Sequence, residues 1–137
     1  MTAVPTDLKI FETLYRKYAE DFAVRSKASE AGQSKIYVPI DVDGVAKELG
    51  TDAHILFGRL YYHLDHRYRY KQDNGAMVHL FAIVVGAEKH CINYPYLAGL
   101  LADYRLQDRR KQWALGISIL SIAIAAAALL AQIAEAA

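Results

Sequence analysis

Several things are scarce in this 137-residue chain, and each shortage removes a class of protein. Cys91 is the single cysteine, so no disulfide can form within the chain and the sequence suits a reducing compartment. Three prolines and eight glycines are too few and too scattered for a low-complexity linker, and there is no internal repeat. Charge of one sign is also missing, with sixteen Lys and Arg against fifteen Asp and Glu, a balance too mild to imply nucleic acid by itself. The first thirty residues alternate charged and apolar side chains and hold no uninterrupted apolar run, unlike a secretory signal. Phosphate loops, Gly-x-Ser-x-Gly and His-Glu-x-x-His are absent, so the chain reads as non-enzymatic and without a cofactor.

The most telling absence is local. From Trp113 to Ala134 no side chain is charged, and nine Leu and Ile residues fill the run. As a helix these residues extend about 33 Å, against about 30 Å of bilayer hydrocarbon. The nine contribute roughly −3 to −5 kcal/mol on an insertion scale. A buried helix of a soluble oligomer is the rival, but such a helix normally carries a polar stripe, and here only Ser118, Ser121 and Gln132 interrupt the run. All sixteen basic residues precede Trp113, and Arg105, Arg109, Arg110 and Lys111 crowd its near side. Excess Lys and Arg mark the cytoplasmic side, so the expectation is a tail-anchored, single-pass protein of a bacterial-type inner (plasma) membrane, with its N-terminal domain cytoplasmic. Trp113 falls where an interfacial aromatic belongs, the basic run suits anionic headgroups, and Ala123, Ala127 and Ala131 form a small-residue stripe.

The preceding 112 residues are enough for one core. Thr6 can cap a helix running to about Ala28, with Leu8, Phe11, Tyr15, Tyr18 and Phe22 on one stripe and opposite charges four apart on the solvated face. A loop over 28–34 leads to a short edge segment, Ile36 to Ile40, marked by Pro39. Asp41 or Asp43 can cap a short helix turning Val45, Ala46 and Leu49 inward and stopped by Gly50. Thr51-Asp52 offers the next cap, for a helix to about His66 with Ile55, Leu56, Leu60 and Leu64 on its apolar face. Tyr68 to Lys71 reads as a strand, Asp73-Asn74-Gly75 as a tight turn, and Met77 to Val85 as an apolar strand needing cover on both faces. Gly86 to Lys89 turns the chain back into His90–Asn93, and Pro95 opens a helix with no breaker before the apolar run.

Val45-Ala46-Lys47-Glu48-Leu49-Gly50, then Thr51-Asp52-Ala53 and the helix carrying Leu56, Leu60 and Leu64, resemble the winged helix-turn-helix superfamily over about residues 36–93. The expected fold class is α+β: a winged-helix-like domain of three to four helices and a small antiparallel sheet, followed by a C-terminal transmembrane helix. Its divisions are an amphipathic helix and loop over 1–35, the core over 36–95, a basic juxtamembrane helix over 96–112, the span over 113–134 and a short non-cytoplasmic tail over 135–137. The resemblance makes the second motif helix a recognition helix, with His54, Arg59, Tyr62 and His63 as candidates for a partner or a major groove, and Arg67, Arg69 and Lys71 reaching phosphates from the wing. Clustered Tyr and Arg equally suit a protein interface. Superfamily members include gene regulators and others that only bind proteins. The leading expectation is therefore an adaptor or regulator that engages a protein partner or a second copy at the membrane, with DNA binding as the alternative and no small-molecule substrate. His63 with His66, and His90 with Cys91, are too few to hold a metal.

Overall fold

The computed structural model describes residues 3–27, 31 and 33–137, so most of the loop expected over 28–34 lies outside the described residues. The chain forms two compact units, Met1–Leu101 and Ala102–Ala137. The first mixes helices with two small antiparallel sheets, and the second is the greater part of one long apolar helix.

Helix α1 (Asp7–Lys27) starts where the Thr6 hydroxyl accepts the Lys9 N–H and Asp7 places a carboxylate in the first turn. Its buried side is Ile10, Phe11, Thr13, Leu14 and Tyr18, rotated from the expected stripe so that Tyr15 reaches the surface edge. Tertiary ion pairs account for charges expected to pair along the helix: Arg16 and Lys17 both reach Glu48, and Arg25 reaches Glu88. Strand β1 (Tyr37–Pro39) leads into helix α2 (Val42–Leu49), capped by the Asp41 side chain on the Gly44 N–H. Gly50 closes it at φ 68°, where the Gly50 N–H donates to Lys47 and the Thr51 N–H to Ala46. Asp52 then accepts the His54 N–H and starts helix α3 (Ala53–Gly58).

From Gly58 the helix continues as a π-helical segment, Arg59–Asp65, and then a single turn, α4 (His66–Tyr68). Leu56, Leu60 and Leu64 recur every four residues, and in an α-helix at about 3.6 residues per turn each such step drifts about 40° around the axis. All three side chains are fully buried. Ile55, at the opening of α3, is exposed instead.

The Asp73-Asn74-Gly75 turn joins only two-residue strands, β2 (Tyr70–Lys71) and β3 (Met77–Val78). Met77–Val85 is thus not one strand: the chain bends at His79-Leu80, and β4 (Phe81–Val85) belongs to a different sheet. Gly86-Ala87 turn the chain into β5 (Glu88–Asn93), which lies between β1 and β4 in the order β1-β5-β4. Phe81 faces Ile92 and Val84 faces Lys89, while Val38 faces Ile92 from the other side. Opposite Ile83 the ladder skips a pair, and His90 there takes a left-handed backbone at φ 55° with its ring against Phe57 and Phe81. Cover on both faces fails at the far end of β4, where Ile83 and Val84 are exposed.

Helix α5 runs from Tyr94 to Ala136. Within the first unit Tyr94, Leu97 and Leu101 are buried, Tyr94 stacks on Tyr15 and Phe22, and its hydroxyl donates to the Tyr15 carbonyl. In the second unit nearly every residue is exposed, and α5 is long and apolar enough to cross a membrane, with none of its most apolar stretch buried.

Candidate partner-binding surface

The π-helical segment turns one acid inward and a row of cations and rings outward. Asp65 is fully buried. Its Oδ1 accepts the N–H groups of Leu80 at 2.9 Å and Phe81 at 3.2 Å, and its Oδ2 lies 3.1 Å from Nδ1 of the half-exposed His79. Tyr37 joins the same node, its hydroxyl donating to the His79 carbonyl and accepting the His79 N–H. Asn93 donates its side-chain amide to that carbonyl as well. The carboxylate therefore fixes the bend at which the chain enters β4, and it orients the His79 imidazole through Nδ1. Sequence reading missed this node. Its signal was an acid beside Leu64 in a helix whose neighbouring positions are core.

With Asp65 inside, residues 53–72 show no exposed acid. Tyr62, His63, His66, Arg67, Arg69, Tyr70 and Lys71 are all exposed there. Tyr62 is 73 % exposed and meets Tyr61 edge-on. Arg67 lies over the Tyr68 ring at 5.3 Å and within 4.0 Å of Asp7, while Arg69 contacts Nδ1 of His66 at 3.0 Å. Tyr70 meets Tyr96 edge-on, and the Tyr96 hydroxyl donates to the Tyr68 carbonyl. Of the sequence-predicted residues, Tyr62, His63, Arg67, Arg69 and Lys71 thus share this stretch of surface.

Two others do not. Arg59 pairs with Asp7 of α1, largely shielded from solvent, so it ties the helices together rather than facing a partner. His54 stands apart at the start of α3, beside a cavity of about 260 Å³ lined by Asp41, Asp43, Phe57 and His90 among others. No group of three or more His, Cys, Asp or Glu side chains among the described residues is placed to hold a metal ion. Cys91 is buried, and burial pushes its thiol up to about 11, far from a nucleophilic thiolate.

Most of the remaining tyrosines serve the core. Tyr18 accepts the Asp41 N–H at 2.7 Å, and Tyr94 and Tyr96 donate to main-chain carbonyls. Burial pushes the Tyr94 hydroxyl up to about 12. Nearby, Arg25 grips Glu88 with two hydrogen bonds, at 2.9 and 2.6 Å, which holds the Glu88 carboxyl below its usual range.

In the second unit Arg105, Arg109, Arg110 and Lys111 are exposed on α5 before the uncharged stretch, and Trp113, also exposed, opens it. Comparison with known protein families, curated proteins and solved structures returns no match to this chain.

Proposed function

We propose that this chain is a non-enzymatic, membrane-anchored adaptor or regulator. Its winged-helix-like domain, held at the cytoplasmic face of a bacterial-type inner membrane by α5, engages a protein partner or a second copy of itself. The observation that carries this reading is the apolar stretch of α5: in water its unburied Leu and Ile side chains would form a far larger apolar surface than a soluble protein normally exposes. The basic residues Arg109, Arg110 and Lys111 before Trp113, with none after it, support the cytoplasmic assignment. Support for the winged-helix reading is the element order: helix, short strand, helix, Gly50 turn, helix, the short β2–β3 hairpin, then the β4–β5 hairpin with β1 paired to β5. Exposed Tyr62 and Tyr70 beside Arg67 and Arg69 are the residue types that protein interfaces favour.

The test is the mass of the full chain extracted from membranes in mild detergent. A self-complex or a stoichiometric partner is expected, and a strict monomer without a partner contradicts the reading.

The exposed cations Arg67, Arg69 and Lys71 favour a second reading, a membrane-tethered DNA-binding regulator. Duplex binding that falls steeply with salt, weakened by Arg67→Ala, Arg69→Ala and Lys71→Ala, would establish it. Salt-independent or absent binding removes it.

A further inference from the structure

The uncharged stretch of α5 is notched near its start. A Cβ added at Gly116 would stand in open space, and the gap opens into a groove of about 420 Å³ lined by Arg109, Gln112, Trp113, Gly116, Ile117 and Leu120. These positions recur at intervals of three and four residues or one turn further, so they form a single face of the helix. At about 3.6 residues per turn, Lys111 and Ala114 fall on the other side.

Polarity changes along the groove. Arg109 and Gln112 close its N-terminal end, Trp113 stands next, 73 % exposed, and Ile117 and Leu120 line its C-terminal end. At about 1.5 Å per residue, Arg109 lies about 6 Å to one side of Trp113 along the axis and Leu120 about 10 Å to the other. Arg109 makes no ion pair among the described residues. Gln112 donates one amide hydrogen to Asp108 at 3.3 Å and keeps a second to offer.

We propose that this groove holds one anionic phospholipid, its phosphate on the Arg109 guanidinium and one acyl chain laid over Gly116 beside Trp113, Ile117 and Leu120. The inference rests on the membrane reading of α5 and names the lipid that its entry face selects. Cation, then indole, then apolar notch is the order in which a phospholipid presents phosphate, glycerol and chain. Charge selects the class: Arg105, Arg109, Arg110 and Lys111 outnumber Asp103 and Asp108 in the stretch before Trp113. A zwitterionic headgroup would bring its own ammonium against that excess, whereas an anionic one offsets it. A second copy of α5 in the same orientation would set another Arg109 at the same depth, where the two cations repel.

Trp113 is the only tryptophan and lines the groove, so its emission reports what fills it. The experiment places the full chain in phosphatidylcholine vesicles containing a small fraction of lipid brominated on the upper acyl chain, either phosphatidylglycerol or phosphatidylcholine. Bromine quenches indole only at close approach. Brominated phosphatidylglycerol should be enriched beside Trp113 about five-fold over brominated phosphatidylcholine, the equivalent of about 1 kcal/mol for one arginine near the surface. Gly116→Leu fills the notch without touching a charge and should remove roughly half of that preference or more, while Ala114→Leu on the other side leaves it. Arg109→Gln should reduce it further than Lys111→Gln, which makes the same change of charge away from the groove. Equal quenching by the two lipids, the result expected if a second copy filled the groove, overturns the site and leaves the anchor standing. Equal losses within either pair of variants do the same, since they mean a diffuse attraction without a groove. Trp113 emission that vesicles neither shift nor quench overturns both.

Discussion

Replacing Asp65 by alanine should unfold the domain more readily than any surface change, and the structure supplies the magnitude. The carboxylate is buried and holds two main-chain N–H groups, those of Leu80 and Phe81, at the bend into β4. Stranding a buried donor costs about 1–3 kcal/mol each. The half-exposed His79 contact adds little by comparison. The sum is about 2–6 kcal/mol out of the roughly 5–15 kcal/mol typical of a domain. At about 4–8 °C per kcal/mol, the midpoint should fall by about 8 °C or more. Asp65→Asn keeps an oxygen for the two N–H groups but puts an NH2 where Oδ2 meets His79, so its cost should be about 1–2 kcal/mol. Near-ultraviolet circular dichroism is the assay, because nine of the ten tyrosines lie in the first unit and report its packing. Equal midpoints for wild type and Asp65→Ala would refute the reasoning. So would Asp65→Asn losing as much as Asp65→Ala, which would mean that charge rather than backbone satisfaction is the cause.

Other perturbations follow from the same contacts. Leu60→Ala should cost about 2–5 kcal/mol as a cavity in the core, whereas Ile55→Ala, on the exposed side of α3, should cost less than about 1 kcal/mol by urea titration. Glu88 is held by Arg25 below its ordinary 4.5, so its contribution is full above that value and is lost as pH falls through the lowered one. The midpoint difference between wild type and Glu88→Gln should therefore shrink on acidification below about pH 4, and a difference that grows contradicts the pairing. Cys91 should resist thiol reagents at about pH 8 in the folded chain and react completely in urea. Rapid labelling of the native protein would show that the β5 environment is open.

Much of the architecture was legible because it is written in local chemistry. The Asp41 and Asp52 caps, the Gly50 stop and the edge character of β1 with Pro39 all depend on residues within a few positions of one another. The apolar run of α5 was equally plain, since composition alone defines it. What escaped depends on distant partners. Ile55 fits the apolar spacing of its helix, yet the tertiary packing buries Leu56, Leu60 and Leu64 and leaves it outside. Arg59 has the type and position of a recognition residue, but Asp7, far away in sequence, claims it. The turn at Asn74 has a strong signature and joins a real hairpin, but Asp65 and Tyr37 bend the chain at His79 and hand Phe81–Val85 to another sheet. Periodicity cannot register a buried carboxylate acting on main-chain groups fifteen residues onward.

The central claim is that α5 prefers lipid to water and so confines the folded domain to a membrane surface. Flotation of the full chain with phospholipid vesicles, followed by an alkaline carbonate wash, tests it most directly. The account predicts that the chain rises with the vesicles and withstands the wash, and that Ile122→Arg together with Ile124→Arg releases it. Wild-type protein left in the dense fraction, monodisperse without detergent, would contradict it.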